Sequence, residues 1–257
     1  MGLPSRAVVG CAAALAGSLA IPAPAAAAGY TTLLVMPSFF TAHNNNGSQI
    51  RAYELPLTLT YHAKNWRVSI SAPLLAVTGP GVLSAGAIYA IPKAYGTRVG
   101  VGDIWLEGSV SLDRPGRLRP EMSPYVLIKL PTDARSRGLG TGTTDYEAGT
   151  SLLWHWQHFY PVARAGYRVV HSSHGYRWRD TFLVSAGFSY SFGRVGFVTL
   201  EFERRGTGHH HQPPTETMFL AYTRPVNQRW SILAFGLHGF TFSSTDYGAG
   251  IGAAVRF

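Results

Sequence analysis

The sequence predicts an all-β fold, a transmembrane antiparallel up-and-down β-barrel of about 12 strands. Three observations lead there. Apolar and polar residues alternate in one segment after another. The connections between these segments alternate between short and long. Beyond the N-terminal segment, no apolar run comes near the ~20 residues that a membrane-crossing helix needs.

Composition supports the same class. Charged residues make up 14% of the 257-residue chain and hydrophobic residues 46%. The charged share is well below the roughly 25% of soluble proteins. A barrel wall, in which only alternate residues meet lipid, suits that balance better than a water-bathed surface. The formal net charge is +9, but the arginines are scattered over turns and loops rather than grouped on a basic helix. That distribution speaks against a nucleic-acid partner and for attraction to anionic lipid or an anionic solute. Cys11 is the only cysteine; it lies in a segment expected to be removed, leaving no disulfide, thiolate metal site or cysteine nucleophile.

Residues 1–28 read as a cleaved signal peptide. Arg6 supplies the positive start, residues 7–21 are apolar but too short to span a bilayer, and Pro22 and Pro24 break the stretch. Ala26, Ala27 and Ala28 then offer small residues to a signal peptidase. Residues 29–257 are the expected barrel.

Strands are expected at 30–41, 49–62, 65–77, 102–113, 121–131, 145–156, 158–170, 179–192, 194–205, 215–224, 229–241 and 245–257. Tyr53, Leu55, Leu57, Leu59 and Tyr61 alternate with Glu54, Thr58 and Thr60, and Phe182, Val184, Phe188 and Tyr190 with Thr181, Ser185, Ser189 and Ser191. Successive strand side chains point to opposite faces, so each such segment has one greasy and one polar side. Lengths of roughly 10 to 13 residues suit tilted membrane strands better than soluble ones. The odd-numbered gaps, around 43–47, 78–101, 131–144, 171–178 and 206–214, are long; the even ones, centred on Ala63-Lys64, Gln157 and Gly193, are mostly tight. Long external loops and short periplasmic turns are the pattern of a Gram-negative outer-membrane barrel with both termini in the periplasm. Trp66, Trp154, Trp156 and Trp230 fall beside the short turns, where a lipid–water boundary would hold them.

The last strand places Tyr247, Ile251, Val255 and the final Phe257 on one face. This alternation, ending on an aromatic residue, looks like the signal read by barrel-assembly machinery. Outer-membrane lipid and lipopolysaccharide are the other expected partners. The interior is expected to be polar and lined by Glu54, Asp103, Glu107, Lys129, Glu147, Arg164, Arg168, Glu201 and Glu203, either bordering an aqueous pore or pairing to fill it.

Gly100-Val101-Gly102-Asp103, then Lys129-Leu130-Pro131-Thr132-Asp133, then residues 138–146 with Gly138, Gly140, Gly142, Asp145 and Tyr146, and a Gly166-Tyr167 pair, together resemble the outer-membrane "MetA-pathway of phenol degradation" family of transporters. These pieces cover about 70 residues, and a glycine usual between Thr132 and Asp133 is absent. The resemblance implies a barrel that passes small solutes, aromatic compounds among them, without a cofactor. The glycine-rich run is no phosphate cradle, because no helix follows it.

Other chemistries fit less well. Ser172 and Ser173 with His171 and His174 share a loop, and Ser151 and His155 are four apart on one strand, so a lipid-modifying enzyme would need partners from other strands. The expectation is therefore not an enzyme. His209, His210 and His211 could hold copper or zinc on a surface-interaction barrel, but three adjacent histidines do not share a face.

Overall fold

The computed structural model describes residues 29–43, 47–84, 87–90, 96–112, 119–132, 139–171, 179–206 and 213–257. The signal segment 1–28, the metal candidates His209, His210 and His211, the loop residues Asp133 and Gly138, and Ser172, Ser173 and His174 lie outside the described residues.

Sixteen strands are present among the described residues: β1 (Tyr30–Val35), β2 (Ser38–His43), β3 (Gln49–His62), β4 (Trp66–Thr78), β5 (Gly81–Ser84), β6 (Ala87–Ala90), β7 (Thr97–Val101), β8 (Ile104–Val110), β9 (Glu121–Leu130), β10 (Asp145–Leu153), β11 (Phe159–Val170), β12 (Thr181–Ser191), β13 (Phe197–Arg205), β14 (Thr215–Pro225), β15 (Trp230–Gly239) and β16 (Tyr247–Arg256). Each wall strand pairs antiparallel with its neighbours, and β1 and β2 pair with both β3 and β16, which closes the cylinder. Two interrupted strands, β1 with β2 and β7 with β8, each form one stave, so the wall has 12. β5 and β6 form a separate hairpin outside it. No described helix is long and apolar enough to cross a membrane; the strands are the crossing elements.

The two interruptions differ in kind. At Met36-Pro37 the register carries straight through, Val35 opposite Ala253 and Ser38 opposite Gly250. Pro37 has no N–H to donate, so the ladder breaks without a shift. Between β7 and β8 the register changes: Leu74 pairs with Val101, but Ser71 pairs with Trp105. Three residues on this stave oppose two on β4, which is a β-bulge, and Gly102 and Asp103 both turn inward. The wall therefore begins five residues before the expected start at 102, because Val99 and Val101 face outward while Arg98 and Gly100 face inward. Gly100 lies in the span expected as a loop, 78–101.

Apolar side chains face out all round. Tyr61, Trp66, Trp156, Tyr190, Phe192 and Trp230 ring the end with the short turns, and Tyr53, Tyr146, Tyr167, Phe182 and Tyr247 ring the other. Exposed Leu57, Leu59, Ile70, Val126, Val184, Leu220 and Ile232 lie between. Such a band would be costly in water and is the surface a hydrocarbon layer covers. Gly29 and Phe257 both lie at the short-turn end.

The interior is not uniformly polar, which corrects the sequence expectation. From β14 through β15, β16, β1, β2 and β3 to β4, the inner face carries Phe219, Ala221, Leu233, Phe235, Leu237, Leu34, Met36, Phe40, Ile50, Ala52, Leu75 and Val77 in one buried cluster. Strand β16 contributes Gly248, Gly250 and Gly252 to that face. A Cβ on Gly248 would lie 2.5 Å from the Phe40 ring, and one on Gly250 2.4 Å from Phe235. Neighbouring rings thus occupy the space that β16 leaves empty. Polar and charged residues occupy the facing wall, β8 to β13.

Candidate functional site

The charged wall follows from strand register. Glu147 on β10 is opposite Arg168 on β11 and Leu127 on β9. Arg168 donates to Glu147 Oε2 from Nε at 2.9 Å, with Nη2 at 2.6 Å. Arg205 Nη1 reaches the same oxygen at 3.3 Å, and Arg164 Nη2 lies 3.5 Å from Oε1. The Tyr125 hydroxyl also donates to Oε1, at 2.9 Å. Three guanidinium groups and a phenol therefore converge on one carboxylate that is almost wholly enclosed. The planar guanidinium suits this, since each presents several donors in a fixed fork. Glu203 gives Arg205 a second carboxylate at 3.4 Å. Arg164 stacks over the Tyr125 ring at 3.9 Å, and Arg168 lies 5.1 Å from the centre of the Trp105 ring.

Tyr125 fits because Gly149 and Gly166 face each other beneath it. A Cβ on either would fall within 2.6 Å of its hydroxyl oxygen. Tyr125, Trp105 and Arg205 were not singled out from sequence. The paired inward glycines were the available signal, because glycine within a strand often marks close approach by another group.

A second cluster joins the three motif pieces. Lys129 is fully enclosed, with Asp145 Oδ2 at 2.5 Å and Asp103 Oδ2 at 3.7 Å. It also donates to the Thr141 hydroxyl. The Thr141 backbone N–H donates to Asp103 Oδ2 at 3.1 Å, and Thr143 donates to Asp145 Oδ1 at 3.3 Å. The Thr132 hydroxyl donates to the Gly102 carbonyl at 2.8 Å and accepts from the Ile104 N–H at 3.1 Å. The bulge, the end of β9 and the loop before β10 are thereby fastened together. That loop folds inward: Leu139 has no exposed surface and packs in the apolar cluster, while Gly140 is buried against Asp103 and Gly142 holds φ +70°. Pro131 is exposed at the end of β9, and Tyr146 points outward.

Other inward charges border the Glu147 cluster, Glu107 and Glu201 both lying within electrostatic reach of Arg164. Arg67 Nη2 lies 3.2 Å from Glu107 Oε1, and Glu121 Oε2 lies 3.5 Å from His155 Nε2. Glu201 is enclosed beside Phe219, its opposite on β14, and neither of its oxygens makes a hydrogen bond within the described residues. Glu54 is inward on β3 between Ser38 and Leu75. Ser151 lies on the inner face of β10 and His155 two residues past its end, where it turns to Glu121, not to a serine. Tyr247, Ile251 and Phe257 are exposed on the outer face of β16, with Val255 half-buried on the same side. Among the described residues no three histidine, cysteine or acidic side chains gather as a metal site.

No family model matches the chain, and no curated protein matches its sequence. Solved structures do match in shape. The COG4313 outer membrane channel from Pseudomonas putida F1 superposes with a TM-score of 0.73 at 12% identity, over 91% of this chain and 97% of that one. The KdgM porin gives 0.58 at 7% identity, over 88% and 99%. The NanC porin gives 0.57 at 9% identity, over 88% and 100%. The chain thus has the fold of outer-membrane channels and porins.

Proposed function

We propose that the protein is an outer-membrane channel for small solutes, and that it discriminates by a two-sided interior. The observation that carries this reading is the apolar wall of β14 to β4 facing the charged wall of β8 to β13, with Leu139 between them on an inward loop. A solute with an apolar body and a polar group can meet both surfaces, which suits small aromatic compounds better than sugars. The sequence resemblance to the phenol-degradation transporter family supports the same solute class. No step requires a bond to be made or broken, so the reading is passage down a gradient rather than enzymatic turnover.

In this reading the short-turn end, with both Gly29 and Phe257, faces the periplasm, and the outward face of Tyr247, Ile251, Val255 and Phe257 is what the assembly machinery reads. Planar-bilayer conductance and liposome swelling test the function. Small aromatic alcohols or acids should enter faster than hexoses of similar mass. A folded, heat-modifiable barrel that gives neither conductance nor solute flux would overturn the channel; equal flux of sugars and aromatics would overturn the solute class alone.

A further inference from the structure

Among the described residues the two rims carry different charge. At the loop end three cations sit beside anions: Arg204 lies 3.6 Å from Glu216, His43 lies 2.5 Å from Asp246, and Arg179 adjoins Asp180, while exposed Arg51 bonds Gln49. At the short-turn end Lys64, Arg119, Arg194, Arg224 and Arg229 are exposed, and none has an acidic partner among the described residues. Arg256 joins them, stacked 4.0 Å over the Tyr30 ring. The described acid nearest this rim, Glu121, is turned inward to Ser111 and His155. These cations are spread round the circumference, on the β3–β4, β12–β13 and β14–β15 turns, before β9 and at the end of β14.

We infer that the short-turn rim is a binding surface for the anionic phospholipid headgroups of the leaflet it crosses. Depth and charge together carry the inference. Trp66, Tyr61, Phe192 and Trp230 form the outward aromatic belt that marks the lipid–water boundary. Each of these cations lies within a few residues of that belt or at the end of a neighbouring strand: Lys64 beside Trp66, Arg194 beside Phe192, Arg229 beside Trp230. Long basic side chains at this depth keep their stems in the apolar layer and reach the phosphates with their charged heads. A soluble acidic partner would need no belt beside the charges, and a nucleic acid would need a groove-sized basic element rather than a ring of single residues.

The test offers the detergent-folded barrel a choice between phosphatidylcholine vesicles and vesicles containing about 30% phosphatidylglycerol. Each lipid mixture is floated separately on a density gradient after dilution of the detergent, and insertion is read as the share of barrel that floats with the vesicles and resists extraction by carbonate. The native chain should favour the anionic vesicles at least about tenfold, and the preference should vanish near 1 M salt, where screening acts over about 3 Å. The variant K64Q/R119Q/R194Q/R224Q/R229Q should lose the preference while still folding in detergent. The loop-end variant R51Q/R179Q/R204Q should keep it. Native mass spectrometry should find phosphatidylglycerol retained on the native chain and not on the five-site variant. Equal preference in the native and five-site proteins, or loss in the loop-end variant instead, would overturn the inference.

Discussion

Glu147 is the charge on which the polar wall is balanced, and Glu147→Gln tests that balance directly. Guanidinium groups approach its carboxylate at 2.6, 3.3 and 3.5 Å, and the Tyr125 hydroxyl lies at 2.9 Å. Glutamine keeps the shape and one acceptor oxygen but removes the charge. Of the three arginines, Arg205 then retains Glu203 as partner and Arg164 stays within reach of Glu107, while Arg168 loses the carboxylate it is bonded to inside an enclosed wall. Breaking a buried pair by removing one partner costs about 3–5 kcal/mol. The remaining carboxylate of Glu203 sets the expectation at the lower end, about 3 kcal/mol. Denaturant titration in detergent, followed by tryptophan fluorescence and by the heat-modifiable band, should show the unfolding free energy fall by that amount and the midpoint move down accordingly. Reversal potentials in a planar bilayer should move toward anion selectivity, because the wall gains net positive charge. Restoring neutrality with Glu147→Gln plus Arg168→Met should return at least half of the lost stability, a coupling that independent sites would not give. An unchanged midpoint together with unchanged selectivity would show that water screens these arginines and that Glu147 balances nothing.

Leu139→Ala removes the loop's anchor from the apolar cluster; stability should fall by about 2–5 kcal/mol, and single-channel conductance should rise because the loop retreats from the lumen. Lys129→Met leaves Asp103 and Asp145 enclosed without their cation, so limited proteolysis should cut the β9–β10 loop faster and denaturation should come earlier by about 3–5 kcal/mol. Gly149→Ala puts a Cβ 2.3 Å from the Ala165 carbonyl oxygen and 2.6 Å from the Tyr125 hydroxyl; the expected loss is about 1–3 kcal/mol in the same titration. Val126→Arg, on the outward face midway along β9, should destabilise by about 2–4 kcal/mol in lipid vesicles, with little effect if that face were bathed in water.

The wall was legible in the sequence where its two faces differ in chemistry. In β3 the outward Leu57 and Leu59 alternate with inward Thr58 and Thr60, and in β12 Phe182 and Val184 alternate with Thr181 and Ser185. Burial of one face leaves no other phase for such segments. In β15 the run Ile232-Leu233-Ala234-Phe235-Gly236-Leu237 is apolar on both faces, so alternation could not report that the inner one is apolar too. The bulge is not legible because Gly100 falls in the span expected as a loop, and because an extra residue reverses the in–out phase that a periodic pattern assumes. The convergence of Asp103, Lys129, Thr132, Thr141 and Asp145 depends on strand pairing and on a loop turning inward. Neither has a local signature, although the motif pieces that carry it stand out as separate glycine- and threonine-rich stretches.

The inner face of β16, bare from Gly248 to Gly252, has a consequence for how the cylinder is completed. Phe40 and Phe235 come from the two staves that flank it, and Gly248, Gly250 and Gly252 add nothing that must be threaded between them. The last stave can therefore slide in as a thin shim. It brings its hydrogen-bonding edges and its lipid-facing residues, while the rings it will rest on are supplied from either side. A bulky residue at any of these glycines would make the seam the thickest part of the wall, and the failure would appear as a barrel that forms its sheet but stays open along one line.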